Sequence, residues 1–197
     1  MDYRLSNGAK EFHIFKEGEK TPFEFNQCKK CKLIKGICPF KNTDIHILHP
    51  LGNEVATKVK SWREIKKEAL ALLDFIDKKK FEGHWEDAYA ISHAQVSREP
   101  KSYFVLNKMK EKKFGGRVII NCRMIKSSVP SIFPEGCMSF MFREMKKVDR
   151  FAHITVVYWT PFLNLFLIPH RKKFKNIESF IVQHELQHAR GENIYGI

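Results

Sequence analysis

Four things are scarce or missing in this 197-residue chain, and each narrows what it can be. No apolar run approaches the roughly 20 residues a membrane-spanning helix needs. The run at 162–168 has the length of a buried strand instead. The first residues include Asp2 and Glu11 and no apolar stretch, so a secretory leader is not expected. Five unevenly spaced cysteines are too few for the disulfide framework of a small secreted protein, and at least one is better explained as a metal ligand in a reducing compartment. Acidic residues are outnumbered, 22 against 35 Lys and Arg, for a net charge of +13. Such a charge is either a solvated basic surface or an attraction to a polyanion. No RNA-binding signature accompanies it, so sequence-specific recognition is not implied.

With 43% hydrophobic residues, the chain can bury one core, and a single domain with an extension is the expected organisation. Residues 1–44 read as a basic added segment, interrupted by Gly8, Gly18, Pro22, Gly36 and Pro39. It carries Cys28-x-x-Cys31 and then Cys38, half of a zinc signature. His46, His49 or His13 would supply a fourth ligand; the alternative is three free or packed thiols. A segment this short would struggle to fold without such a staple.

Residues 45–197 read as the main domain. A helix is predicted over 61–80, with Ser61 and Glu64 as a capping-box pair and Trp62, Ile65, Ala69, Leu72, Leu73 and Ile76 on one face. Short β-type runs follow at 103–106, 118–121, 154–159 and 162–168, and a last helix at about 177–190. The order helix, strands, helix is an α+β arrangement in which the last helix packs on the sheet. Cys122 reads as a buried thiol, His153 and His170 as surface or structural residues, and Trp85 and Trp159 as packing residues.

The last helix carries the chemistry. His184-Glu185-Leu186-Gln187-His188 puts two imidazoles four residues apart, on one face of a helix. Ile177, Phe180 and Ile181 extend the same stripe, and Gly191 stands where a helix C-cap often does. Upstream lies Cys137, within Glu135-Gly136-Cys137-Met138-Ser139. One thiolate and two imidazoles make a three-ligand metal site with a position left for water, whose pKa falls from about 15.7 towards about 7. Thiolate and imidazole suit a divalent metal such as zinc or iron(II). Glu185, beside a ligand, stands where a general base is wanted.

The two motifs together resemble those of the peptide deformylases, Glu-Gly-Cys-Leu-Ser and Gln-His-Glu-x-Asp-His-x-x-Gly. Met138 replaces Leu in the first, and Gln187 stands for Asp in the second. The third family motif, Gly-x-Gly-Leu-Ala-Ala-x-Gln, is matched by residues 88–95. Gln95 is retained there, both glycines are alanine, and His93 occupies a small-residue position. The likeness covers roughly residues 45–197. It implies a peptide-deformylase-like α+β fold, with antiparallel or mixed sheets packed around the C-terminal metal-binding helix.

The implied activity is metal-dependent removal of the N-formyl group from the initiator methionine of nascent polypeptides. It also implies oxyanion donors at the Gln95 side-chain amide and the Met138 backbone N–H, and iron(II) as the usual metal with zinc as a poorer one. Phe180 and Ile181 are candidates for the wall of a methionine pocket, with ordinary core packing the alternative, and Glu135 and Ser139 for groups that hold the Cys loop. The chain ends six residues after Gly191 and so resembles the short deformylases of phages. On that likeness the expected location is cytoplasmic, the host cytoplasm if the chain is viral, with an organelle matrix also open. The basic extension and surface suggest ribosomal RNA as a further partner. The competing reading is a catalytically impaired, deformylase-like module that binds or assembles on ribosomes.

Overall fold

The computed structural model describes residues 26–28, 33–35, 55–78, 89–97, 99–107, 114, 116–140, 145–163 and 165–195. Near the N-terminus, β1 (Asn26–Cys28) and β2 (Leu33–Lys35) pair antiparallel, Cys28 opposite Leu33. Cys31, Cys38, His13, His46 and His49 lie outside the described residues, and with them the zinc-knuckle reading.

The main body is a five-stranded antiparallel sheet in sequence order: β3 (Ala90–Ser92), β4 (Tyr103–Leu106), β5 (Val118–Glu135), β6 (Lys146–Phe162) and β7 (Phe166–Lys175). Side chains alternate between its faces, as the two-residue period of a strand requires. Tyr103, Val105, Val118 and Ile120 meet one hydrophobic cluster, while Phe104 and Ile119 meet another. Helix α1 (Trp62–Lys78) fills the first cluster with Trp62, Ile65, Ala69, Leu72 and Ile76, an apolar stripe at helical spacing. Helix α2 (Ile177–Ala189) fills the second with Ile181, Val182 and Leu186, against Ile154, Val156 and Phe174 of the long strands. The sheet is thus sandwiched, and α2 lies on the face where β5 ends.

Both helices fall close to their predicted spans. Glu64 turns back at the start of α1 to accept the Lys60 N–H at 2.9 Å. Gly191 follows α2 in the left-handed region (φ 74°) and donates to the His188 carbonyl, a backbone geometry that glycine adopts without penalty.

The strands differ more from expectation. The runs at 118–121 and 154–159 are only the apolar parts of strands of 18 and 17 residues, because β5 and β6 pair along most of their length. The run at 162–168 is not one buried strand. β6 ends at Phe162, the chain turns with the Leu165 N–H donating to the Phe162 carbonyl, and β7 begins at Phe166. Leu163 and Phe166 are 70% and 64% exposed. A single polar residue, Asn164, marks the turn in the sequence, set between Leu163 and Leu165 in an otherwise apolar run.

Candidate metal centre

Three elements bring the predicted ligands together. Cys137 sits just after β5, where the chain leaves the sheet and enters a short 3-10 turn at Met138–Phe140. His184 and His188 project from one face of α2. Cys137 Sγ lies 3.2 Å from His188 Nε2, and the two Nε2 atoms lie 3.2 Å apart. All three ligand atoms fall within 4.8 Å of one another, and Cys137 and His188 are buried.

These residues fit a divalent metal. A tetrahedral ion, at about 2.05 Å from nitrogen and about 2.3 Å from sulfur, would set such donors about 3.3–3.6 Å apart. The carboxylate of Glu135 can only accept, so His184 donates its Nδ1–H to it at 2.9 Å, which leaves the Nε2 lone pair facing the other two ligands. Although burial opposes ionisation of Cys137, the neighbouring His188 and His184 hold its thiol well below the usual range, as a thiolate ligand requires.

Glu185 is buried on the same turn of α2, and its Oε2 has no hydrogen-bond partner among the described residues. Burial pushes its carboxyl up to about 7, against the pull of His184 and His188. A buried, unanswered carboxylate oxygen beside three metal-type ligands is what a site built for a further polar group presents.

Gln95 reaches the same place from the opposite side. It ends the 3-10 turn His93–Gln95 after β3, and its Oε1 accepts the Ser92 N–H at 2.9 Å. That aims its Nε2 at the Cys loop, donating to Ser139 Oγ at 3.2 Å and lying 3.7 Å from Cys137 Sγ. The alanines in this motif are accommodated: Ala90 does not take a positive φ, and Ala88 lies outside the described residues. His93 turns away from the ligands. Its ring stacks on Tyr103 with centroids 4.7 Å apart, its Nδ1 accepts the Lys101 N–H at 2.9 Å, and its Nε2 lies 3.2 Å from Glu68 of α1. An Nδ1 that accepts carries no proton, so the ring is neutral and its Nε2–H donates to Glu68. Burial and Lys101 accordingly bring its pKa down to about 4.

Glu135 and Ser139, expected to hold the Cys loop, do meet polar partners there. The residue that sequence reasoning missed is Arg150 on β6. Its guanidinium grips Glu135 with two bonds of 2.7 Å and donates to Gln187 Oε1 at 2.6 Å. One cation therefore ties the end of β5 to α2, and Gln187 is neutral where the resemblance leads one to expect a carboxylate. The available signal was an arginine in register with the inward-facing Ala152, Ile154 and Val156. Gln183 adds a second tie, exchanging hydrogen bonds with the backbone N–H and carbonyl of Phe151 at 3.0 and 2.8 Å.

Phe180 stacks on Phe133 (centroids 4.4 Å), and Ile181 belongs to the α2-side core. Cys122 packs against that same core, where burial pushes its thiol up to about 12. His170 lies 2.8 Å from Thr160 Oγ1 and stacks on Tyr158, a structural position.

Comparison with known proteins supplies the rest. A family model described as polypeptide deformylase matches residues 45–196. No curated protein matches. Among solved structures, the chain is similar to the peptide deformylase of Thermotoga maritima, at TM-score 0.58 and 19% identity, covering 73% of this chain and 87% of that one. It is similar also to that of Legionella pneumophila, at TM-score 0.59 and 19% identity, covering 72% and 76%. The Plasmodium falciparum peptide deformylase gives TM-score 0.58 and 25% identity, covering 72% and 77%. With the family matched over most of its length, the chain belongs to the polypeptide deformylases, metal-dependent hydrolases that remove the N-formyl group from the initiator methionine of nascent polypeptides.

Proposed function

We propose that Cys137, His184 and His188 hold the divalent metal of this deformylase, and that Glu185, Gln95 and Met138 carry out the proton transfers and charge stabilisation around it. The observation that carries the reading is the convergence of Sγ and two Nε2 atoms beside the unpartnered Glu185 carboxylate. The bound metal, iron(II) or zinc, supplies Lewis acidity towards water and towards the formyl carbonyl.

The residues divide the remaining work. Glu185 takes a proton from the attacking water and returns it to the departing amine, so that the formyl C–N bond breaks to give formate and a free α-amino group. Negative charge gathers on the formyl oxygen as the water adds. The Gln95 Nε2–H and the Met138 N–H are the donors offered to it, and both belong to segments already fixed, Gln95 by Ser92 and Met138 by its short turn. Glu135 orients His184, and Arg150 holds Glu135 as a carboxylate against the effect of burial, together with His184. The Phe133–Phe180 stack forms one wall of the site that receives the methionine side chain.

Three finer statements belong to the same reading. Residues 1–44 form a separate basic extension, with Cys28, Cys31 and Cys38 as ligands of a structural zinc, supported by their spacing. The protein works in a reducing, cytoplasmic compartment, supported by its need for a free Cys137. It associates with ribosomes through its basic surface, supported by the net charge of +13.

The test is formate release from a short formyl-methionyl peptide, with protein prepared without oxygen and loaded with iron(II) or zinc. Turnover that disappears in Glu185→Ala supports the assignment. Metal bound with no turnover in either form would overturn it.

A further inference from the structure

The basic residues that the catalytic reading leaves unused are not scattered. β5, β6 and β7 pair so that residues opposite one another share a face, and three consecutive rows of the face away from α2 read Arg123–Val157–Arg171, Lys126–Thr155–Lys173 and Ser128–His153–Lys175. Arg123, Lys126, Arg171, Lys173 and Lys175 are exposed, and no carboxylate lies in these rows. Asp149, the next acid along β6, pairs with Ile132 beyond the Pro130–Phe151 pair. The α2-side face of the same strands carries the apolar core around Ile154, Val156 and Phe174, with the exposed Lys172 at its edge and Arg150 enclosed at its far end.

Backbone irregularity produces the alignment. Arg123 and Lys126 are three residues apart and in a regular strand would point to opposite faces. The register shifts by one residue between Ile120 and Arg123, and again between Met124 and Lys126, where β5 advances by three and then two while β6 advances by only two and then one. The first shift brings Arg123 to the face of Ile120 and Trp159, and the second keeps Lys126 there. Asn121 sits in the first irregularity with φ 49°, and its side-chain amide exchanges hydrogen bonds with the backbone of Val59, which locks the bulge in place. Bulges of this kind re-aim side chains.

Beside the first row lies an open groove of about 300 Å³, lined by Arg123, Val157, Trp159, Pro169 and Arg171. The two arginines stand on either side of β6, about 10 Å apart across two strand spacings, and Trp159, which also lines the groove, packs against the core. A sheet face with cations around a groove that Trp159 helps to line suits a flexible strand of phosphates and bases. It does not suit the major groove of a duplex, which admits a helix or a projecting ribbon.

We propose that this face of β5–β6–β7 binds single-stranded RNA, its five cations contacting the phosphates and the Arg123–Arg171 groove receiving a base. The proposal rests on the ribosome-association reading only for the choice of RNA as partner, and it gives that reading a defined surface.

The experiment is fluorescence anisotropy of a labelled, unstructured RNA oligonucleotide titrated with the full chain over a range of salt. Five phosphate contacts predict a log–log salt slope of about −3.5, an affinity loss of about 100-fold between about 50 and about 200 mM. Arg123→Ala/Arg171→Ala should flatten the slope by about 1.4. Lys66→Ala/Lys67→Ala, which removes the same charge from the exposed side of α1, should leave it unchanged. Deformylase turnover in both double variants reports that the fold is intact, and it separates failure of RNA binding from failure of the catalytic reading. Equal losses in the two double variants would overturn the proposal in favour of bulk charge. So would binding to anionic phospholipid vesicles without binding to RNA, which would assign the face and the exposed apolar hairpin tip at Leu163 and Phe166 to a membrane surface. Loss of ribosome co-sedimentation with RNA binding retained would refute the ribosome reading alone.

Discussion

Arg150 and Arg171 belong to neighbouring strands of one sheet, and the sheet uses them in opposite ways. Arg150 is buried, and its donors are directed at Glu135 and Gln187. Arg171 is exposed in a row of cations with no acid partner among the described residues. Around α2, charge is enclosed and answered group by group, so removing one member strands another inside the protein. On the outer face, charge is left to the solvent, where single residues contribute little to folding and remain available for binding. One region spends its ions on geometry, the other on recruitment.

The largest expected effect sharpens the first half of that contrast. Glu185→Gln should lower kcat by about 10²–10⁴ while bound metal, measured by atomic absorption, stays the same. Activity within tenfold of the parent would remove Glu185 from the proposed role. Next, Arg150→Ala should destabilise the fold by about 3–5 kcal/mol in a denaturant titration, because Glu135 then remains as a buried, half-paired carboxylate. Arg171→Ala should change stability by less than about 0.5 kcal/mol. Similar values for the two arginines would break the comparison outright. Gln95→Ala should then cost about 10²–10³ in kcat with KM little changed, as befits a donor used by the developing oxyanion.

The smallest effect concerns His93. Its folded pKa, about 4, lies below its ordinary value of 6.5. The unfolded chain therefore takes up the proton first as pH falls. The neutral ring's contribution is complete above about 6.5 and declines towards pH 4, by up to about 3 kcal/mol. Glu68, Lys101 and Tyr103 are the groups that face it. Stability curves of the parent and His93→Gln should converge over that window; parallel curves would show that the ring titrates normally.

The metal ligands were legible because their chemistry forces local spacing: two histidines one turn apart on an apolar stripe, and a cysteine inside a short motif. Gln95 was legible only through the family resemblance, since the Ser92 bond that orients its amide is a feature of the folded turn. Arg150 was not legible as a hub, because Glu135 and Gln187 lie 15 and 37 residues away along the chain and meet it only across the β5–β6 pair and α2. The hairpin at 162–166 escaped notice because Asn164 is its one polar signal, flanked by leucines and phenylalanines that read as a continuous strand. The cationic face was hidden more deeply. Read with a two-residue period, Arg123 and Lys126 fall on opposite sides, and only the pairing of β5 with β6 reveals that they do not.

Those two shifts in β5 carry a consequence for inheritance. Side chains on this strand can be exchanged without disturbing where their neighbours point, but the number of residues between Ile120 and Lys126 sets the phase of everything downstream, as far as the Glu135 that orients His184. Deleting a single residue there would either erase one of the two bulges or slip the β5–β6 pairing by one. A slip would turn Lys126 towards the core and point Glu135 away from its histidine. Substitutions along β5 therefore act one position at a time, whereas a one-codon insertion or deletion that slipped its pairing would at once re-aim Arg123 and Lys126 and the Glu135 that orients His184.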